Sequence, residues 1–145
     1  MNAERKRLVL ESWEAIAYNR DQVAVAFYDR LFEIDAGARA LFAKTDMVAQ
    51  RGKFVEMLGE IVRNLDLPRE LIPAVSALGR RHVDYGVRDA DYDRVREALF
   101  AAIAAEVGPG FTDEVRDAWE EAYALTAAVM KRGAHSGSSS QSVSS

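Results

Sequence analysis

The sequence predicts an all-α domain of six or seven helices. Apolar residues recur at three- and four-residue intervals along almost the whole chain, the period of an amphipathic helix. Strict apolar–polar alternation, the mark of half-buried strands, is absent. Only three prolines occur in 145 residues, so little interrupts the helical pattern.

The elements follow in order. From about Glu4 to Tyr18 the apolar positions are Leu8, Leu10, Trp13, Ile16 and Ala17, and Asn19 breaks the pattern. A second helix runs from about Asp21 to Glu33 with Val23, Phe27, Leu31 and Phe32 inward and Asp21 near its positive end. After the turn Asp35-Ala36-Gly37, a short helix from Ala38 ends on Leu41-Phe42. Thr45 or Asp46 is a good N-cap for the next helix. It reaches about Asn64, with Val48, Phe54, Met57, Leu58, Ile61 and Val62 on its buried side. Pro68, at the tolerated first turn, opens the helix that carries His82, and Gly86 is expected to close it. Asp89 to Val107 follows with Tyr92, Val95, Leu99, Phe100 and Ile103 apolar. Gly108-Pro109-Gly110 is a strong breaker. Thr112 caps a last helix whose stripe is Val115, Trp119, Tyr123, Thr126 or Ala127, and Met130. Gly133 is expected to end the domain, 1–133, and the Ser-rich tail, 134–145, is expected to be disordered.

Composition narrows the partners. A net charge of −4 with mixed signs gives no electrostatic reason to expect nucleic acid or an anionic membrane. No apolar run is long enough to span a bilayer, and no separate apolar signal segment follows the charged first residues. The absence of cysteine fits a reducing, cytoplasmic setting. It also excludes a thiolate-bound haem and covalent haem attachment.

Within this frame His82 is the most informative residue. The only other histidine, His135, lies in the tail. Val75, Leu78 and His82 share one helix face, and that face is apolar, so the imidazole points inward. One histidine without cysteine cannot build an all-protein zinc site. It can supply the single axial ligand of a haem iron, or it can be a hydrogen-bonded core histidine. Tyr28 lies on a side that would otherwise be core, and Gln50 shares a helix face with Phe54 one turn later, although taken alone Gln50 would be a solvated residue on most helices. Their polar ends need partners in an apolar setting. Both can donate a hydrogen bond to a ligand held on iron. The cluster from Arg88 to Arg94 contains Asp-x-Asp but lacks the Gly and terminal Glu of a calcium loop.

Taken together, the segments Phe27-Tyr28-Asp29-Arg30-Leu31-Phe32, Leu41-Phe42, Ala49-Gln50 with Phe54, Leu71-Ile72-Pro73-Ala74-Val75, Leu78-Gly79-Arg80-Arg81-His82, Tyr85-Gly86-Val87 with Tyr92, and Asp117-Ala118-Trp119 with Ala122-Tyr123 resemble single-domain bacterial haemoglobins and the globin domain of flavohaemoglobins. The likeness covers about Leu8 to Arg132. It implies a globin fold of six to seven helices around a pocket for haem b. By that resemblance His82 is the proximal iron ligand, Phe42 the phenylalanine against the haem ring, and Tyr28 and Gln50 the distal hydrogen-bonding pair. Phe54 stands at a distal apolar position more often Leu. Tyr92 is the proximal-side tyrosine, and Leu78 and Val87 line the haem face near His82. Lys53 and Arg81 are candidates for the haem propionates.

The same resemblance implies reversible binding of O2, and of NO and CO, to a ferrous iron. NO dioxygenation is a further activity, one that needs an external reductase because the FAD and NAD(P)H domains are absent. The flavohaemoglobin glutamate beside the proximal histidine falls here at Ala134, so peroxidase-like reactivity is less expected. A gas sensor acting through a partner protein is the alternative reading. A monomer or weak homodimer is expected.

Overall fold

The computed structural model describes the backbone of residues 1–84 and 88–144, and the side chains of residues 1–82 and 88–133. Seven α-helices and one short 3₁₀ turn make up the described residues, with no strand among them. The helices are α1 (Ala3–Ala15), α2 (Arg20–Ile34), α3 (Ala36–Leu41), α4 (Met47–Arg63), α5 (Pro68–Asp84), α6 (Asp91–Val107) and α7 (Asp113–Ser144). None is long and apolar enough to cross a membrane.

Side chains set most of the starts. Asn2 accepts from the Arg5 amide at 2.8 Å, and Asp35 from the Gly37 amide at 3.0 Å. Asp46, rather than Thr45, caps α4 and accepts from Val48 at 3.1 Å. Thr112 Oγ1 accepts from Val115 at 3.3 Å. Each satisfies an amide that the first helical turn leaves without a partner. Between α6 and α7, Gly108 has φ +69°, a left-handed value that glycine adopts without a Cβ clash. Here the Gly-Pro-Gly break becomes a 3₁₀ turn.

Three expectations are corrected. The first helix stops at Ala15, and Tyr18 lies fully exposed beyond it. Val48 is 72% exposed, because in the opening turn of α4 it is the neighbouring Met47 that packs on the core. Gly133 does not stop the last helix. α7 carries on to Ser144 and Gly133 is itself buried. The expected tail therefore falls on the last turns of α7, where side chains lie outside the described residues. The expected close at Gly86 also lies outside them.

Two apolar clusters hold the helices together. The larger joins α1, α2, α4, α6 and α7 around Trp13, Ile16, Val23, Phe27, Ile103 and Trp119. In it Trp119 Nε1 donates to Ser12 Oγ at 2.8 Å, a buried bond linking the first and last helices. The smaller contains Leu71, Val75, Tyr92, Ala127 and Met130. α2 lies mainly along α6, and α5 mainly along α7 rather than along α4. Ile61 and Tyr123 touch both clusters. Away from that corner Phe54 of α4 packs into the first cluster and Leu78 of α5 into the second. The fold thus leaves two helices with half-buried apolar residues and little packing against each other.

Candidate haem site

The first wall is built on α2 and α4. Tyr28 is 5% exposed and stands in a box of rings. Its ring meets Phe27 edge-on at 4.9 Å, Phe42 at 5.4 Å and Phe54 at 5.7 Å. Phe27 stacks on Phe54 at 4.5 Å. Edge-to-face contacts at these separations are favourable because the ring quadrupoles align positive edge to negative face. They also fix the phenol axis.

The half-buried Gln50 Nε2 donates to the phenol oxygen at 3.1 Å. The phenol oxygen is therefore the acceptor in this pair, and its own proton can serve another acceptor. Burial pushes the Tyr28 pKa above the ordinary 10.0, against a smaller opposing pull from Gln50. Tyr28 therefore stays a neutral donor at physiological pH. Phe42 sits at the C-terminal end of α3, half-buried against both Tyr28 and Phe32.

The second wall is α5. His82 is half-buried, and its Nδ1 lies 2.8 Å from the Leu78 carbonyl oxygen. A carbonyl can only accept, so Nδ1 carries the proton and Nε2 the lone pair. Burial holds the His82 pKa below the ordinary 6.5. The Leu78 carbonyl pulls the other way, and Arg81 adds to the lowering. The imidazole is thus neutral near pH 7, the form that ligates a metal. Leu78 is half-buried beside Val75 and Tyr92. Tyr92 is buried, its ring under Lys131 Nζ at 5.2 Å. Its carbonyl accepts from Tyr123 Oη at 2.6 Å.

Among the expected site residues, the structure brings Tyr28, Gln50, Phe42 and Phe54 together in one cluster. Leu78 and His82 lie one turn apart on α5, and Leu78 packs with Tyr92 in the second apolar cluster. Lys53 and Arg81 are exposed. Val87 and Ala134 lie outside the residues whose side chains are described. Phe27 and Phe32, expected only as inward-facing residues of the second helix, complete the ring box. Phe32 follows Tyr28 by one helical turn, so the spacing could have marked it.

Among the described residues no three His, Cys, Asp or Glu side chains gather to hold a metal ion. An iron at His82 would arrive inside a prosthetic group. The donor set fits haem, with one neutral imidazole of fixed tautomer and half-buried apolar side chains on α4 and α5.

The Globin family profile matches residues 25–130. The chain is 25% identical to a neuroglobin of Danio rerio over 146 residues, covering 92% of each protein. It is 32% identical over 134 residues to an anaerobic nitrite reductase of Oryza sativa subsp. indica, covering 88% of this chain and 91% of that one. A flavohemoprotein of Rhodopirellula baltica matches at 30% identity over 83% of this chain, which spans only 30% of that longer protein. Among solved structures, an engineered carbene transferase from Rhodothermus marinus superposes with a TM-score of 0.87 at 25% identity, covering 98% of this chain and 99% of that one. A hexacoordinated heme protein from a tardigrade shares the fold at TM-score 0.84 and 16% identity, covering 93% and 96%.

Proposed function

The chain belongs to the globin family, and from that premise we propose that it holds haem b through His82 Nε2 and binds O2 reversibly, along with NO and CO. When bound, the haem supplies an iron that takes a diatomic ligand. The observation that carries the reading is the pairing of Tyr28 with Gln50 inside a box of phenylalanines. A buried phenol that accepts from an amide has its proton left to give. In an apolar wall, that proton serves a ligand carrying partial negative charge on oxygen.

The other residues act by position and exclusion. The Leu78 carbonyl holds the imidazole in the ligating tautomer. Phe42 and Phe54 keep water from the phenol, which strengthens its hydrogen bond. Lys53 and Arg81, both exposed, are the cations this reading assigns to the haem propionates. The likeness to the globin portion of a flavohemoprotein supports one extension, NO dioxygenation to nitrate with an external reductase.

Repeated oxygenation and deoxygenation of the reduced, haem-loaded protein, followed by absorption, tests the proposal. The account expects the oxygenated and deoxygenated spectra to interconvert over many cycles. Conversion to the ferric form on first exposure to O2 would refute reversible binding.

A further inference from the structure

We propose that Gly79 and Gly133 are positioning residues for His82: they let α5 and α7 pack backbone against backbone and so set where the imidazole stands. The inference rests on His82 being the haem ligand. A Cβ built on Gly79 would lie 2.1 Å from the Met130 carbonyl oxygen and 2.8 Å from its Cα. One built on Gly133 would lie 2.5 Å from the Ser76 carbonyl oxygen and 2.7 Å from its Cα. In both cases the obstacle is backbone, which cannot swing aside as a side-chain tip can. By contrast, Gly52 in α4 has nothing within 4 Å of its Cβ position.

The two contacts form one antiparallel seam. Residues 76 and 79 of α5 meet residues 133 and 130 of α7, three positions apart on each helix. Both glycines lie inside helices, where glycine costs about 1 kcal/mol relative to alanine. A close approach explains their presence there. α5 has its main packing on α7, so the depth of this seam sets the position of α5. The link to the site is short. His82 follows Gly79 by three residues, and its Nδ1 is held by the carbonyl of Leu78, the residue before Gly79. Widening a 2.1 Å separation to ordinary van der Waals distance, about 3.5 Å, requires α5 and α7 to part by about 1.4 Å there.

The test compares Gly79→Ala, Gly133→Ala and the control Gly52→Ala in the haem-loaded, reduced, full-length protein. Helical circular dichroism is matched first. The iron–histidine stretching band is then recorded by resonance Raman, and the rate of haem transfer to an excess of a haem scavenger is measured. A positioning role predicts a displaced band and about tenfold faster haem loss (~1.4 kcal/mol) in the Gly79 and Gly133 variants, with Gly52→Ala like the parent. An unmoved band and unchanged loss rate in both seam variants would overturn the proposal. So would loss of helical structure in both, since the glycines would then serve the fold alone. If the parent protein takes up no haem, it is the haem reading itself that fails, and that result is distinct from either.

Discussion

Replacing Tyr28 by phenylalanine removes one hydroxyl and leaves the ring in place. The ring contacts with Phe27, Phe42 and Phe54 at 4.9 to 5.7 Å persist, so haem uptake and folding are expected to change little. The Gln50 amide loses its acceptor at 3.1 Å, but it is only half-buried and can turn toward solvent. On the proposed role, what disappears is the phenol proton offered to a ligand with partial charge. A hydrogen bond to a charged group contributes about 1.5–3 kcal/mol. At about 1.4 kcal/mol per factor of ten, O2 dissociation should quicken by roughly 10- to 140-fold. CO carries little charge on its oxygen, so its dissociation should change much less. Stopped-flow displacement of O2 by CO, and of CO by NO, measures both rates. An O2 rate within about twofold of the parent, or equal acceleration of both gases, would refute the hydrogen-bonding role of Tyr28.

Two further outcomes follow from the same geometry. Phe54→Leu removes the 4.5 Å stack on Phe27 and should cost about 0.5–1.5 kcal/mol of stability, with faster CO recombination after flash photolysis; unchanged recombination would remove Phe54 from the ligand's route. Tyr28, Tyr92 and Tyr123 all have pKa values raised above the ordinary 10.0, chiefly by burial. Raised folded pKa values mean their contribution to stability is whole below pH 10 and is lost as pH climbs through the folded values. An alkaline titration of tyrosinate absorbance should show these phenols ionising together with loss of helical circular dichroism. Ionisation of all of them near 10 in a still-helical protein would contradict this.

How much of this was legible in the sequence depends on the range of the interaction. Caps were readable because a side chain and the amide it serves lie two or three residues apart, as at Asp46 and Thr112. Helical stripes were readable because burial follows the 3.6-residue period. Val48 misled because the period marks a face and does not say that Met47 rather than Val48 meets the core there. Gly133 misled for a related reason. Glycine near a helix end usually signals a stop, and only the position of Ser76, more than fifty residues earlier in the chain, shows it to be a contact. The Tyr28–Gln50 bond spans two helices. Taken alone, Gln50 has the chemistry of a solvated residue, and the family resemblance is what singled it out. The phenylalanine box around Tyr28 emerged only when α2, α3 and α4 were placed together.

The central claim is that His82 holds the haem iron, and absorption spectroscopy of the purified, haem-loaded protein tests it most directly. Spectra are recorded as prepared, after dithionite, and after CO, for the parent and for His82→Ala. The account predicts a Soret band in the parent that shifts on reduction and again with CO, and a distinct spectrum with weakened haem retention in the variant. No Soret band in the parent, or identical spectra in the two proteins, would contradict it.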